Sequence, residues 1–275
     1  MLFRSQANLE TQKFIPKQFF RFLGKNNIAE LELGNKVRKN ATVMSVRLVG
    51  IESSKQMSLE ENFNLLNSYL NVISPIIRRF GGFVDKYFGE GILAVFGRAE
   101  NALDCAHSVA RAIEVKNRQN KSLPKVNERI SIMTNQVIFG IVGDEERKIP
   151  TIVSSITKEI DKVDQICKMM HCKVVFTDRM LDNLPLSYKF VYRHIGVVTF
   201  NENERTLLFE DLEVLPRDKC SKMLKSKAIF ERGVLNYENG QYEEACHSFG
   251  EALKIAPNDK GCYVYYNNAK EKLGV

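Results

Sequence analysis

An acidic residue at a tight turn between two apolar strands can hold a divalent metal ion, because carboxylate oxygens are the ligands that Mg²⁺ prefers. The stretch Phe83–Phe96, FVDKYFGEGILAVF, has this form. Aromatic and branched residues lead into the turn Gly89-Glu90-Gly91, and ILAVF leaves it as a buried strand. Glu90 is therefore a candidate metal ligand. A metal site generally needs a second acid, and the question is which residue supplies it.

The elements before this hairpin predict an α/β arrangement. A polar arm is expected at 1–13 and a short helix at about Pro16–Leu23. ATVMSVRLVGI (41–51) is mostly apolar, as in a strand that is buried on both faces. Ser58 and Glu61 then form a capping box that opens an amphipathic helix, which ends before the hairpin.

The elements after the hairpin complete the pattern. A second amphipathic helix is predicted from Ala102 to about Val115, and RISIMTNQVIFGIVG predicts two strands that turn at Thr134-Asn135. TIVSSITKEIDKVDQICKMM (151–170) predicts a helix, and CKVVFT, YKFVYRHIGVV and RTLLFEDLEVL predict strands. This order predicts a ferredoxin-like β-α-β-β-α-β sandwich with additions, an α/β fold that occupies residues 14–215.

The C-terminal part of the chain is predicted to be all-helical. A charged linker is expected at 216–223, and residues 224–275 resemble one tetratricopeptide repeat (TPR), with two helices that turn at Asn239-Gly240 and a third helix. A single repeat cannot bury its own apolar face. We therefore expect this segment to pack on the α/β domain or on a partner chain. A plain helical hairpin is the alternative.

Composition excludes several classes of protein. No apolar run approaches the length of a membrane span, and the N-terminus lacks a signal-peptide core, so we expect a cytoplasmic location. Six cysteines without a C-x-x-C pair and four scattered histidines do not indicate a zinc module. The net charge of +7 is spread along the chain. It predicts a solvated basic surface that attracts anionic partners, and not a nucleic-acid site.

Three stretches resemble the class III adenylyl/guanylyl cyclase catalytic domain. They are FIPKQFFRFLGKNNIAELELGNKVRKNATVMSV, LEENFNLLNSYLNVISPIIRRFGGFVDKYFGEGILAVF and IVGDEERKIPTIVSS. The likeness runs in one collinear order from about Phe14 to Leu215. It implies a cyclase-homology domain that dimerises head to tail and, in adenylyl members, makes cyclic AMP and pyrophosphate from ATP. Some bacterial members carry a helical repeat segment after the domain, as this chain does.

The resemblance answers the question of the second acid. In the family, a carboxylate on the first strand and one at the hairpin turn hold two Mg²⁺ or Mn²⁺ ions, which activate the ribose 3′-hydroxyl. The hairpin acid falls on Glu90, where the family usually has aspartate. The first-strand acid falls on Arg47, and no other acid occurs between Thr42 and Ile51. We therefore expect an ion pair between Arg47 and Glu90, and no metal cofactor.

The other family positions divide into two groups. The asparagine and arginine that act in the transition state fall on Lys158 and Lys162, and lysine lacks the planar fork that clasps a phosphate. The purine-reading lysine and threonine are matched by Lys86 and Thr151. An alternative reading from the residues alone makes Lys86 a surface side chain, with Thr151 as the cap of the helix after Pro150.

These positions predict a degenerate, catalytically inactive cyclase homologue that acts through protein interaction in signalling. A second hypothesis makes the chain the purine-binding half of a heterodimeric adenylyl cyclase. A third makes it a sensor that binds ATP or a cyclic nucleotide without turnover. Homodimer or heterodimer contacts are expected at the hairpin (Phe88, Ile92), at the helix from Ile152 and at the helical C-terminus. Packing in the core of the same chain explains the apolar faces of the hairpin and of this helix equally well.

Overall fold

The computed structural model describes residues 17–25, 30, 32–51, 57–144, 146, 148–201 and 204–274. The predicted polar arm at 1–13 lies outside these residues. Within them, no helix is both long and apolar enough to cross a membrane. All six cysteines are free thiols, as expected from their spacing.

The described residues form eight strands and eight helices. The strands are β1 (Lys36–Val49), β2 (Phe83–Phe88), β3 (Gly91–Phe96), β4 (Asn127–Gly143), β5 (Lys148–Val153), β6 (Val174–Thr177), β7 (Tyr192–Thr199) and β8 (Arg205–Asp211). The helices are α1 (Lys17–Leu23), α2 (Leu59–Arg79), α3 (Ala99–Gln119), α4 (Ile156–Met169), α5 (Asp178–Asp182), α6 (Arg217–Glu238), α7 (Tyr242–Ile255) and α8 (Lys260–Leu273). The predicted order of an α/β sandwich followed by a helical segment is confirmed.

The strands form one mixed sheet in the order β2-β3-β1-β4-β6-β8-β7, with β5 paired to β4. Strand β1 is an inner strand next to the central strand β4, and it is antiparallel to both β3 and β4. Because side chains alternate along a strand, each face has its own core. Val46 and Ile73 of α2 belong to the core on one face, and Val43, Ile160 of α4 and Phe249 of α7 belong to the core on the other.

Two local features, the start of α2 and the turn between α6 and α7, were predicted correctly. The side chain of Ser58 accepts a hydrogen bond from the Glu61 amide at 3.2 Å, and the Glu61 carboxylate accepts one from the Ser58 amide at 2.7 Å. This is the predicted capping box, and it begins α2. The turn between α6 and α7 lies at Asn239-Gly240, where Gly240 has a φ of 75°, as the TPR pattern predicted.

Two predictions about β4 and β5 were wrong. Thr134-Asn135 is not a turn, because β1 pairs with β4 along all of Lys36–Val49 and keeps β4 in one straight run. Residues 148–153 form β5 against the end of β4, so α4 begins at Ile156 and not at Thr151. In both places long-range strand pairing outweighs the local turn and helix signals.

A third prediction also differs from the structure. Residues 217–223 are the first turns of α6 and not a linker. Pro216 precedes this helix directly, and no prolyl or glycyl residue between Arg217 and Phe230 interrupts it. Ile92, expected at a dimer surface, is fully buried in the core under α2 and α3.

The C-terminal helices pack on the α/β domain of the same chain, against the edge strand β7. Arg193 of β7 is 1% exposed and makes three contacts at this interface. Its Nε donates to Glu210 of β8 at 2.8 Å, and its other nitrogens donate to Asp259 at the start of α8 at 2.5 and 3.0 Å. The guanidinium also lies 4.0 Å from the ring centroid of Phe230 in α6.

Side chains of these helices also form hydrogen bonds with backbone groups on the open edge of β7. The amide of His194 donates to Glu231 of α6 at 2.7 Å, and the carbonyl of Ile195 accepts from the Tyr265 hydroxyl of α8 at 2.8 Å. Gly196 has a φ of 132°, and a Cβ there would lie 2.5 Å from the Tyr265 oxygen, so this close approach requires glycine. The helical segment thus covers a strand edge that would otherwise be open to pairing with another chain.

We predict that Arg193→Met destabilises the whole chain strongly. The variant leaves the carboxylates of Glu210 and Asp259 buried without their cation, which costs about 3–5 kcal/mol. Arg205→Met is the matched control, because Arg205 is 71% exposed and lies 4.0 Å from Glu238. Its effect on the free energy of unfolding should stay below about 1 kcal/mol. Urea unfolding measures both, and equal stability of the two variants would contradict this role of Arg193.

Candidate functional site

Arg47 lies near the end of β1, on the face of the sheet that α4 covers. Its Nη2 donates to Asp161 at 2.8 Å, and its Nε lies 2.9 Å from an Asp164 oxygen, an ion pair without hydrogen-bond alignment. The guanidinium also lies 4.7 Å from the ring centroid of Phe88. The sequence predicted an ion pair of Arg47 with Glu90. In the structure, the guanidinium pairs with Asp161 and Asp164 of α4.

A second arginine shares the same aspartate. Arg129 of β4 is the register partner of Arg47 on β1. Its Nε and Nη2 donate to the two oxygens of Asp164 at 2.7 and 2.9 Å, a bidentate pair. This hydrogen bonding outweighs partial burial and raises the pKa of Arg129. Two arginines and two aspartates therefore form one balanced charge cluster between the sheet and α4.

Sequence reasoning missed the acidic half of this cluster. Asp161 and Asp164 stand three residues apart in KEIDKVDQI, so they share a face of α4. This spacing was the available signal. Nothing local in the sequence indicated that the face would lie over two arginines on different strands.

Glu90 lies where the hairpin prediction placed it, in the turn between β2 and β3. Its carbonyl accepts a hydrogen bond from the Leu48 amide at 2.9 Å, and the next residue, Gly91, is the register partner of Arg47. The sheet therefore does bring the two family metal positions side by side on adjacent strands. One of them carries a cation that is already paired with α4.

The two predicted purine-reading residues lie together around a third residue, Asp85. The Thr151 hydroxyl donates to Asp85 at 3.1 Å, and the Lys86 ammonium lies 3.5 Å from the same carboxylate. The Ile152 amide also donates to Asp85 at 3.0 Å. Thr151 lies in β5, so the reading of this residue as a helix cap is wrong.

A bulge explains how Asp85 reaches these partners. The β2–β3 register shifts between Val84 and Lys86, which leaves Asp85 without a register partner and turns its side chain towards β5. That side chain is fully buried, and burial raises its pKa even though Ile152, Lys86 and Thr151 all favour the charged form. The Lys86 side chain remains 46% exposed. Lys86 and Thr151 therefore present an ammonium donor and a hydroxyl oxygen, and both are anchored to the buried carboxylate of Asp85.

Lys158 and Lys162 are both exposed and lie one turn apart on α4. Neither makes an ion pair with another described residue.

The residues present do not fit the metal pair of the family. Two acids would be required at positions 47 and 90, and position 47 holds a guanidinium in ion-pair contact with Asp161 and Asp164. Among the residues that the structure describes, no three His, Cys, Asp or Glu side chains are grouped so that they could hold a metal ion.

Comparison with known proteins identifies relatives over nearly the whole chain. The terminal-differentiation-specific adenylate cyclase of Dictyostelium discoideum is 27% identical over 270 residues, which is 95% of this chain and 13% of that protein. The adenylate cyclase of Anabaena cylindrica is 27% identical over 193 residues, 67% of this chain and 38% of that protein. The chain therefore spans much less than half of either relative.

Solved structures agree on the fold. A bacterial light-regulated adenylyl cyclase has a TM-score of 0.65 at 13% identity and covers 82% of this chain and 66% of its own. The adenylyl cyclase CyaB from P. aeruginosa has a TM-score of 0.56 at 19% identity and covers 64% of this chain and 95% of its own. The relatives of this chain are class III adenylyl and guanylyl cyclases.

The α/β part of the chain thus has the cyclase-homology fold. The tetratricopeptide repeat family matches residues 226–259, which cover the end of α6, α7 and the turn into α8. The match to the Dictyostelium cyclase leaves out only 5% of the chain, so it includes most of these helices as well. The aligned region therefore includes both the α/β part and most of the helical part of this chain.

We predict that Asp164→Asn destabilises the cyclase-homology domain more than Asp161→Asn does. The Asp164 side chain is 6% exposed and lies between two arginines, whereas that of Asp161 is 55% exposed and pairs with one. Loss of the buried charge should lower the free energy of unfolding by about 2–4 kcal/mol, against about 1 kcal/mol or less for the exposed one. Chemical unfolding tests this order; the reverse order would contradict the cluster as described.

Proposed function

We propose that this chain is a cyclase-homology protein without metal-dependent cyclase activity, and that it acts through interaction with other proteins. The strongest support for this proposal comes from the contacts of Arg47. The arginine at the first-strand metal position is held in place by Asp161 and Asp164, so it is built into the fold and not a loose substitution on the surface.

The charges at this position oppose metal binding. A divalent ion near Glu90 would sit next to a guanidinium on the adjacent strand, and unlike a lysine or a histidine an arginine cannot lose its positive charge by deprotonation. Rotation of Arg47 away from the site would break its ion pairs and its contact with Phe88. The fold therefore stabilises the state in which the metal position is filled by a cation.

The transition-state positions support the same proposal. Lys158 and Lys162 keep positive charge but not the bidentate geometry of arginine. Loss of a metal ligand alone removes several kcal/mol of transition-state stabilisation, and each ~1.4 kcal/mol is a factor of ten in rate. With both sets of groups changed, a homodimer of this chain should have no measurable turnover.

We predict that the purified full chain forms no cyclic nucleotide from ATP or GTP, in Mg²⁺ or in Mn²⁺. An intact class III cyclase, assayed in parallel, is the positive control. The double variant Arg47→Asp, Glu90→Asp restores two acids and should gain little, because Lys158 and Lys162 remain. Clear turnover by the wild-type chain would contradict the proposal.

A second candidate function rests on the Lys86–Asp85–Thr151 arrangement. The Lys86 ammonium can donate to a purine ring nitrogen, and the Thr151 oxygen, which donates its own proton to Asp85, can still accept from an exocyclic amino group. An intact adenine-reading pair would suit the purine-binding half of a heterodimer, or a sensor for ATP or a cyclic nucleotide.

We predict for this second function that ATP binds without metal and that Lys86→Gln weakens binding about tenfold, the loss expected for one charge-assisted hydrogen bond. Lys222→Gln is the matched control, since its side chain is 47% exposed against 46% for Lys86 and lies on α6. If calorimetric titration of the wild-type chain with ATP releases no heat, this nucleotide-binding function is excluded. Where ATP binds, a gain in product on mixing with an intact cyclase favours the heterodimer, and no gain favours the sensor.

A further inference from the structure

The first turn of α8 lies directly against the end of α4. A Cβ at Gly261 would lie 3.1 Å from the carbonyl oxygen of Met170, the residue that caps α4, and 3.3 Å from the terminal methyl of the same side chain. Met170 is 3% exposed. A side chain at position 261 would therefore be tighter against Met170 than most Cβ contacts, and α8 or the end of α4 would have to move by a few tenths of an ångström.

The position of that turn is fixed from the other side. Asp259 is the N-cap of α8 and accepts a hydrogen bond from the Cys262 amide at 3.2 Å. Both of its oxygens also accept from Arg193, which is anchored in the sheet by Glu210. The start of α8 therefore forms a buried ion pair with β7 and also packs against the end of α4.

Helix α4 is attached to the sheet differently along its length. Its middle is held by the buried side chains of Ile160 and Val163 and by the ion pairs of Asp161 and Asp164 with the two arginines. Of these pairs, only that of Asp161 is largely exposed, so water can replace it at modest cost. At its end, Cys167 and Met170 are buried in the core to which the C-terminal helices also contribute, whereas Met169 is 52% exposed. The end of α4 thus depends on α8 for part of its burial.

We propose that the C-terminal helical segment is a clamp on α4. Through Gly261 and Met170 it holds the helix that carries Asp161 and Asp164, and therefore the cluster around Arg47. A partner that binds the C-terminal helices and shifts α8 would loosen α4 and change that cluster, with no contact of its own there. This inference goes beyond the proposed function and holds whether or not the chain is catalytically active.

Hydrogen–deuterium exchange on the full chain tests the clamp with Gly261→Ala. The added methyl group acts as a wedge between α8 and Met170. We expect amide exchange in residues 160–172 to rise about threefold or more, with little change in α2 and α3 on the other face of the sheet. Gly250→Ala in α7 is the matched control, because its Cβ would meet only a ring carbon of Tyr266 at 3.8 Å.

The outcomes separate clearly. Faster exchange in α4 with Gly261→Ala and not with Gly250→Ala supports the clamp. Unchanged exchange in α4 with both variants, while the circular dichroism stays native, overturns it. If Gly261→Ala does not fold, Asp259→Asn replaces it, since this variant keeps the side-chain shape and weakens only the tie to Arg193. Faster exchange confined to α8 in that variant would also overturn the clamp.

Discussion

Two arginines that face each other across neighbouring strands constrain this structure more than any other contact. Arg47 and Arg129 are register partners on β1 and β4, where like charges destabilise a sheet. The pair is tolerated because Asp164 lies between them and Asp161 takes the remaining charge of Arg47. Together with the buried apolar side chains of α4, this arrangement attaches the helix to β1 and β4.

The charge cluster also explains why the substitution at position 47 is compatible with a stable fold. An isolated arginine in place of a metal-binding acid would leave a half-buried cation without a counter-charge. Here the helix that packs over it supplies two aspartates, at a spacing that puts both on one face. Position 47 and the acidic face of α4 therefore form one structural unit, and the proposed function treats this helix–sheet contact as the replacement of a metal–ligand contact.

The sequence was sufficient for some parts of this account and not for others. The capping box at Ser58, the hairpin around Glu90 and the helical turn at Asn239-Gly240 depend on neighbours within a few residues, so local patterns predicted them. The continuous β4 and the partners of Arg47 depend on residues that are far apart in the chain. Asp85 was missed because its role arises from a bulge, which alternation alone does not indicate.

The C-terminal segment shows how one contact can serve both stability and communication. Its helices cover the edge of β7 through side-chain hydrogen bonds, as a protected sheet edge requires. The first turn of α8 lies against the end of α4, so the cover of β7 and the proposed clamp belong to one interface. A single TPR-like unit that lacks neighbouring repeats gains its burial from the cyclase-homology domain, and that domain gains a closed edge in return.

The most direct test of the central claim is a titration of the wild-type chain with Mn²⁺, followed by the electron paramagnetic resonance signal of the free ion. The account predicts that the chain removes no stoichiometric Mn²⁺ from solution at submillimolar concentrations, because Arg47 and its two aspartates occupy the metal position. Saturable binding of one or two ions per chain, lost in Glu90→Gln, would show that Arg47 leaves the site open, and would contradict the account.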